Sequence, residues 1–349
     1  MKQDNNISQQ LAEAVKAAAR KRTLLAIAGS GTKRFYAGKI DGEKLDVTGH
    51  RGVVAYEPTE LVITARAGTP LAEVETTLAE KGQMLGFEPP YFGDTATLGG
   101  TIACGFSGPR RPYAGSARDF VLGAKIINGK GEILNFGGQV MKNVAGYDVS
   151  RLMVGARGTL GVLLEISLKV LPKPAKEITL CFEMPVTKAI TTMNTWAGQP
   201  LPLSAACHLG DILYIRLSGT ELGIRAAHAK LGGVVVDKGD GFWHKLREHQ
   251  HIFYHGREPL WRLSVPPATP PIELPGKWLV DWGGAQRWLR SDASATDIHR
   301  QAEQVGGHAT LFRDAKQDGA TFPPQLPAQL ALLHQNLRKA FDPHGVINQ

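Results

Sequence analysis

Residues 94–108 constrain the fold of this chain most. They read Asp94-Thr95-Ala96-Thr97-Leu98-Gly99-Gly100-Thr101-Ile102-Ala103-Cys104-Gly105-Phe106-Ser107-Gly108, with small residues dominant and bulky apolar ones few. Each interior glycine costs a helix about 1 kcal/mol relative to alanine, so this composition argues against a core helix. It favours a backbone that a large ligand approaches closely, or a glycine loop packed tightly on a neighbour. In the first case the hydroxyls of Thr97 and Ser107 and the amides of Gly99 and Gly100 are candidate donors to phosphate oxygens.

A second small-residue loop precedes it. Apolar residues 24–28 read as a strand that runs into Gly29-Ser30-Gly31-Thr32-Lys33. Amides freed of side-chain bulk can turn inward as an anion-binding nest, with Ser30 and Thr32 adding hydroxyls and Lys33 adding charge. A glycine turn after a strand is more often only a turn. Arg34 stands where a Rossmann fingerprint needs its third glycine, and no Walker loop is present.

Periodicity supplies the frame. Ile7, Leu11, Val15 and Ala18 predict an opening helix capped by Ser8. Strands are expected at 53–56 and 61–65, followed by a helix with Thr69 as its cap, Pro70 at its first position and Gly82 at its stop. Asn128-Gly129-Lys130-Gly131 joins two strands as a hairpin. Val162, Leu164, Ile166, Leu168 and Val170 give one strand a fully apolar face. Pro172-Lys173-Pro174 breaks that strand and marks a domain boundary. Beyond it, strand-like and helix-like pieces alternate in a β-α-β-β-α order of ferredoxin-like type, and a second such set follows in uncertain register. A last helix is expected over 329–341.

The chain has 349 residues, 43% hydrophobic and 21% charged, which suits an ordinary globular protein of about two domains. Lys and Arg number 40 against 32 Asp and Glu, a net charge of +8. The basic residues are dispersed and carry no nucleic-acid-binding motif, so the field suits any anionic ligand. Three scattered cysteines, Cys104, Cys181 and Cys207, supply neither a disulfide framework nor iron–sulfur ligands. No apolar run reaches the ~20 residues of a membrane helix; the opening residues have no apolar segment behind them, so no secretory leader and a cytoplasmic location are expected.

Three stretches in order carry a family resemblance: Ala28-Gly29-Ser30-Gly31-Thr32-Lys33, then 96–108, then Gly155-Ala156-Arg157-Gly158-Thr159-Leu160-Gly161-Val162. Together they resemble the FAD-binding domain of vanillyl-alcohol-oxidase/p-cresol-methylhydroxylase type. Residues 108–112, 140–148, 150–155, 282–288 and 306–310 extend the likeness to the FAD-binding subunits of bacterial glycolate oxidases. This implies an α+β chain with a two-subdomain FAD-binding domain over 1–173. An α+β, ferredoxin-like cap over 174–328 follows, and a helix and tail over 329–349 return to the FAD domain. Ala28, Gly29, Ser30, Gly31, Thr32 and Lys33 would hold the pyrophosphate. Ala96, Thr97, Gly99, Gly100, Ala103 and Ser107 would line the pyrophosphate and ribityl path, and Gly161 and Val162 would meet the adenine end or the flavin edge.

The likeness also implies an FAD-linked catalytic subunit and an iron–sulfur subunit as partners, a small 2-hydroxy acid as substrate, and membrane contact only through that complex. Relatives with covalent flavin carry a His in the first loop or a Cys in the second region. The first loop has no His and Cys104 reads as a small buried thiol, so non-covalent FAD is expected. The paired-histidine metal motif of related hydroxy-acid dehydrogenases is absent, leaving only Glu248, His251 and His255 at helical spacing, and no metal is expected. Catalytic candidates are few: His308, Tyr147 beside Lys142, Asn143 and Asp148, and Arg110 beside Arg111. Arg110 and Arg111 fit equally a carboxylate or flavin contact and an ordinary ion pair. The expected function is the FAD-binding subunit of a multi-subunit glycolate oxidase. A self-sufficient FAD-dependent dehydrogenase and a flavin-free assembly scaffold are the alternatives.

Overall fold

A computed structural model of the chain describes residues 5–37, 40–138, 148–314 and 326–348. The chain divides into two compact units. One comprises residues up to Ser107, Ser116–Lys173 and the C-terminal segment from Gln325; the other comprises Gly108–Gly115 and Pro174–Pro324. Gly108–Gly115 had been expected with the first unit. Its anchors lie in the second: the Trp282 indole donates to the Gly108 carbonyl at 3.0 Å, and Arg110 pairs with Glu177.

In the first unit α1 (Ser8–Lys21) buries Leu11, Ala12, Val15 and Ala18. Ser8 lies inside this helix rather than capping it, and its hydroxyl donates to Asn6 at 2.6 Å. The short strands β1 (Leu25–Ala28) and β2 (Glu43–Asp46) pair in parallel. A five-stranded antiparallel sheet follows, built from β3 (Val53–Glu57), β4 (Val62–Arg66), β5 (Val121–Ile127), β6 (Ile133–Gly137) and β7 (Val162–Lys169), in the order β3-β4-β7-β5-β6. The apolar face foreseen for β7 is central to it: Val162, Leu164, Ile166 and Leu168 are all fully buried. Helix α2 (Leu71–Ala79) starts one residue later than expected: Pro70, with ψ 134°, is the cap rather than the first helical residue, and Thr69 does not cap it. The Thr69 hydroxyl instead accepts from the Gly52 amide at 2.9 Å, because it is fully buried beside that strand end.

The composition of 94–108 argued against a core helix, yet Leu98–Cys104 forms one, α3, with Leu98, Gly99, Thr101 and Ile102 buried. Glycine is what permits this. A Cβ on Gly99 would stand 2.7 Å from the Ala67 Cβ and 2.9 Å from its carbonyl oxygen. The helix cost of glycine is offset by a backbone contact that no side chain would allow.

The second unit is one eight-stranded antiparallel sheet. Its strands are β8 (Lys176–Glu183), β9 (Leu203–Leu209), β10 (Ile212–Gly219), β11 (Val234–Val235), β12 (Leu260–Ser264), β13 (Lys277–Asp281), β14 (Gln286–Arg290) and β15 (His308–Arg313), ordered β11-β8-β10-β9-β13-β14-β12-β15. Helices α4 (Val186–Ala197) and α5 (Glu221–Leu231) complete a β-α-β-β-α-β unit in the ferredoxin-like order 4-1-3-2. The other four strands run 2-3-1-4, with α6 (Ala295–Gln304) as their crossover helix. The sheet is thus two ferredoxin-like halves joined through their second strands, β9 and β13. In the second half a proline-rich loop replaces the first helix. Arg287, 1% exposed, pins that loop by donating to the carbonyls of Thr269, Pro270 and Gly284.

Candidate functional site

Within the first unit, the residues after β1, the start of α3 and the turn before β7 enclose a cleft of about 770 Å³ including its mouth. It gathers Gly29, Ser30, Gly31, Thr32 and Lys33 with Thr97, Gly99, Gly100, Ala103 and Gly161. The two small-residue loops, 64 residues or more apart in sequence, therefore face one space.

The two loops differ in what they offer. No hydrogen bond is made by the amides of Gly29, Ser30, Gly31 or Thr32 to any described residue, and Gly31 sits at φ +83° with nothing within 4 Å of an added Cβ. Four neighbouring amides without a described protein acceptor, on residues that are half-buried or exposed, can turn together as a nest for an anion. Lys33, 6% exposed, closes this loop with its ammonium held on the Tyr91 carbonyl at 3.0 Å.

At α3 the amides are already used. Leu98 donates to the Thr69 carbonyl at 2.9 Å, Gly99 to the Ala67 carbonyl at 2.7 Å, and Gly100 to the Thr97 hydroxyl at 3.2 Å. Expected amide contacts from Gly99 and Gly100 are therefore spent on fixing the helix. What α3 supplies is shape. Gly99 seats the helix on Ala67, and an added Cβ on Gly100 would meet only the Thr97 hydroxyl, at 3.2 Å.

Four of the expected residues do not line the cleft. Ala28 is in β1, where its carbonyl accepts from Val47 at 3.0 Å. Ala96 is fully buried, and its carbonyl accepts from Leu71 at 2.7 Å. The Ser107 hydroxyl accepts from the Ala117 amide at 2.9 Å. Val162 belongs to the core. These four brace the residues beside them that do face the space.

Sequence reasoning missed Arg157 and Asn348, which line the same cleft. Arg157 has φ +51° and stands over the Tyr36 ring, 5.6 Å from its centroid. Its amide donates to the Ala103 carbonyl at 2.8 Å, tying the 155–158 turn to α3. Asn348 arrives from the tail. Its side-chain oxygen accepts from the Ile27 amide at 2.7 Å, its side-chain NH2 donates to the Arg157 carbonyl at 2.9 Å, and its own amide donates to Leu25 at 3.0 Å. Val346 and Ile347 lie buried in the core with β1 and α1. Nothing local in sequence marks an asparagine 321 residues from its partner.

Cys104 also lines the cleft. Burial pushes its thiol up to about 11, although Lys33 and Arg157 pull the other way. A thiol held protonated is a poor nucleophile.

The catalytic candidates lie elsewhere. Tyr147, Lys142 and Asn143 are outside the described residues. Asp148 accepts from the Arg151 amide at 3.1 Å as a helix cap. Arg110 is buried in the second unit beside Glu177, which also accepts from the Ser218 hydroxyl, and Arg111 stacks 4.4 Å over the Trp282 ring. His308 stands at the start of the edge strand β15 with its side chain partly in solvent; partial desolvation of the ring and the nearby Arg262 hold its imidazole below the usual histidine range. Glu248 pairs with Arg247 at 2.8 Å, and His251 accepts from the Phe253 amide at 3.2 Å. Among the described residues no three of His, Cys, Asp or Glu are grouped to hold a metal ion, and no helix is long and apolar enough to cross a membrane.

The fit to FAD is good on these observations: a donor nest with cations for a pyrophosphate, continuing into a glycine-walled cleft. An FAD binding domain family model matches residues 7–137. Glycolate oxidase subunit GlcE of Escherichia coli (strain K12) is 50% identical over 348 residues, covering 100% of this chain and 98% of that protein. Glycolate oxidase subunit GlcD of Bacillus subtilis (strain 168) is 33% identical over 128 residues, 37% of this chain and 27% of that one. A solved alkyldihydroxyacetonephosphate synthase matches with a TM-score of 0.66 at 12% identity, over 97% of this chain and 74% of that chain, a likeness of fold.

Proposed function

Because this chain belongs to the family of the glycolate oxidase subunit GlcE, we propose that it is the FAD-carrying subunit of a multi-subunit oxidase that converts glycolate to glyoxylate. One observation carries the reading: the identity to an oxidase subunit runs the whole length, through the cleft and the second unit alike. Bound FAD supplies a two-electron acceptor for oxidation of a hydroxy acid, while the protein supplies binding and electrostatics.

The amides of Gly29, Ser30, Gly31 and Thr32 receive the pyrophosphate, with Lys33 and Arg157 opposing its charge. Gly100, Ala103 and Gly161 leave room for the ribityl chain and rings. The cofactor is held without a covalent bond, since the first loop offers no histidine and the Cys104 thiol stays protonated. Substrate oxidation then depends on the other oxidase subunits, an FAD-linked catalytic subunit and an iron–sulfur subunit. Contact with the inner face of the cytoplasmic membrane would come through that assembly.

The test is steady-state turnover of glycolate with a dye acceptor, comparing the isolated flavin-loaded chain with the co-expressed complex. The expected result is turnover in the complex and background in the isolated chain. Equal turnover in the isolated chain, lost in His308→Ala, would make this chain a self-sufficient dehydrogenase.

A further inference from the structure

The C-terminal helix Ala328–Phe341 carries an apolar stripe that its own unit covers only in part. Leu330, Leu333, Leu337 and Phe341 recur at spacings of three, four and four, so they share one helical face. Leu337 and Phe341 pack on the cluster of Ala124, Ile126, Met153 and Leu160. Leu330 and Leu333 continue the stripe but are 41% and 53% exposed, and Leu332 beside them is 56% exposed. No residue of this helix is fully buried. A helix with several large apolar side chains in water is unusual unless something else covers it.

Where the covered half ends, a groove of about 650 Å³ opens against the 152–160 segment. Leu152, Leu160 and Leu337 give it apolar walls, Arg157 and Arg338 give it positive charge, and no carboxylate of a described residue lines it. Such a surface selects an apolar segment flanked by carboxylates. A second copy of this chain, itself at net charge +8, is disfavoured by the same electrostatics.

Resting on the reading that the chain works in a complex, we propose that this stripe and groove seat another subunit of the oxidase through an acidic, apolar-anchored segment. Arg157 lines both the groove and the flavin cleft, so a subunit seated there touches the wall of the cofactor site. The residues that hold the cofactor and those that hold the partner thus meet at one turn.

The test co-expresses the chain with the other oxidase subunits, one of them tagged, and measures recovery of this chain with the tag at two salt concentrations. Leu333→Glu and Arg338→Glu are compared with wild type, and each isolated variant is checked for FAD content and melting temperature. The proposal expects at least tenfold lower recovery for both variants, with FAD content and melting unchanged, and salt-sensitive recovery for wild type. Undiminished recovery of both variants overturns the docking site while leaving the oxidase reading intact. Failure of wild-type chain to recover with its partners overturns that reading and this proposal together. Binding of the isolated chain to anionic vesicles that Leu333→Glu abolishes, with assembly intact, assigns the stripe to lipid and also overturns it.

Discussion

Asn348→Ala removes a clasp that joins the end of β1 to the 155–158 turn, both of which line the flavin cleft. The variant leaves the Ile27 amide and the Arg157 carbonyl without the partners now at 2.7 and 2.9 Å, while the bond from the residue 348 amide to Leu25 survives. Each lost bond costs about 0.5–1.5 kcal/mol net, and more where the orphaned group stays out of water. Both groups are half-buried, so a total of about 2–3 kcal/mol is expected. If the walls must be joined before the cofactor binds, about 2 kcal/mol appears as roughly a thirtyfold weaker FAD affinity. Asn348→Asp separates the two ends. It keeps an acceptor for Ile27, but turns a carboxylate toward the Arg157 carbonyl and adds negative charge to a cleft that receives a pyrophosphate. FAD affinity by fluorescence quenching and thermal melting of the apo-protein are the assays. Asn348→Ala should weaken FAD and lower melting; Asn348→Asp should weaken FAD at least as much. Affinity within twofold of wild type in both variants would refute the clasp.

Gly100→Val should abolish FAD retention with little change in melting, whereas Gly99→Ala should cost the roughly 1–3 kcal/mol of stability of an overpacked site, because its Cβ would collide with Ala67; thermal melting and bound-flavin absorbance distinguish them. Cys104, raised to about 11, is almost wholly thiol at pH 7, so its alkylation should climb about tenfold per pH unit towards pH 9. FAD should slow that reaction; site-resolved mass spectrometry after iodoacetamide checks both. Acid precipitation of the loaded protein should release all its flavin to the supernatant, measured by absorbance of the two fractions.

The legible parts of the fold were those where one element states its own period. The alternation along β7, the hairpin at 128–131 and the spacing in α1 each show in a few adjacent residues. β2 was missed because Glu43-Lys44-Leu45-Asp46 buries one side chain and reads as polar loop. Thr69 and Ser8 read as caps, but the Thr69 hydroxyl is held by the distant Gly52 amide, and the Ser8 hydroxyl and amide both donate to the Asn6 side chain just before the helix. Gly108–Gly115 sits in the second unit through Glu177 and Trp282, partners 67 and 174 residues away that no local pattern announces. The ferredoxin-like duplication was half visible, because a loop pinned by Arg287 stands where the second half would have its first helix. At the cleft, composition identified both glycine loops but not their division of labour. Which amides are spent and which are spare depends on acceptors at Ala67 and Thr69, distant in sequence from Gly29.

In the proposed function Gly29, Ser30, Gly31, Thr32 and Lys33 form the pyrophosphate seat of a cleft that holds FAD in this chain. The most direct measurement is the visible absorption spectrum of the purified protein, with flavin quantified per chain, for wild type and Gly31→Val. Gly31 has φ +83° and open space beyond it, so a valine there both strains the turn and occupies the nest. Wild type should show a bound-flavin spectrum at one FAD per chain, and a folded Gly31→Val protein should lack it. A colourless wild-type chain that takes up no added FAD, or a folded Gly31→Val protein with full flavin content, would contradict that assignment.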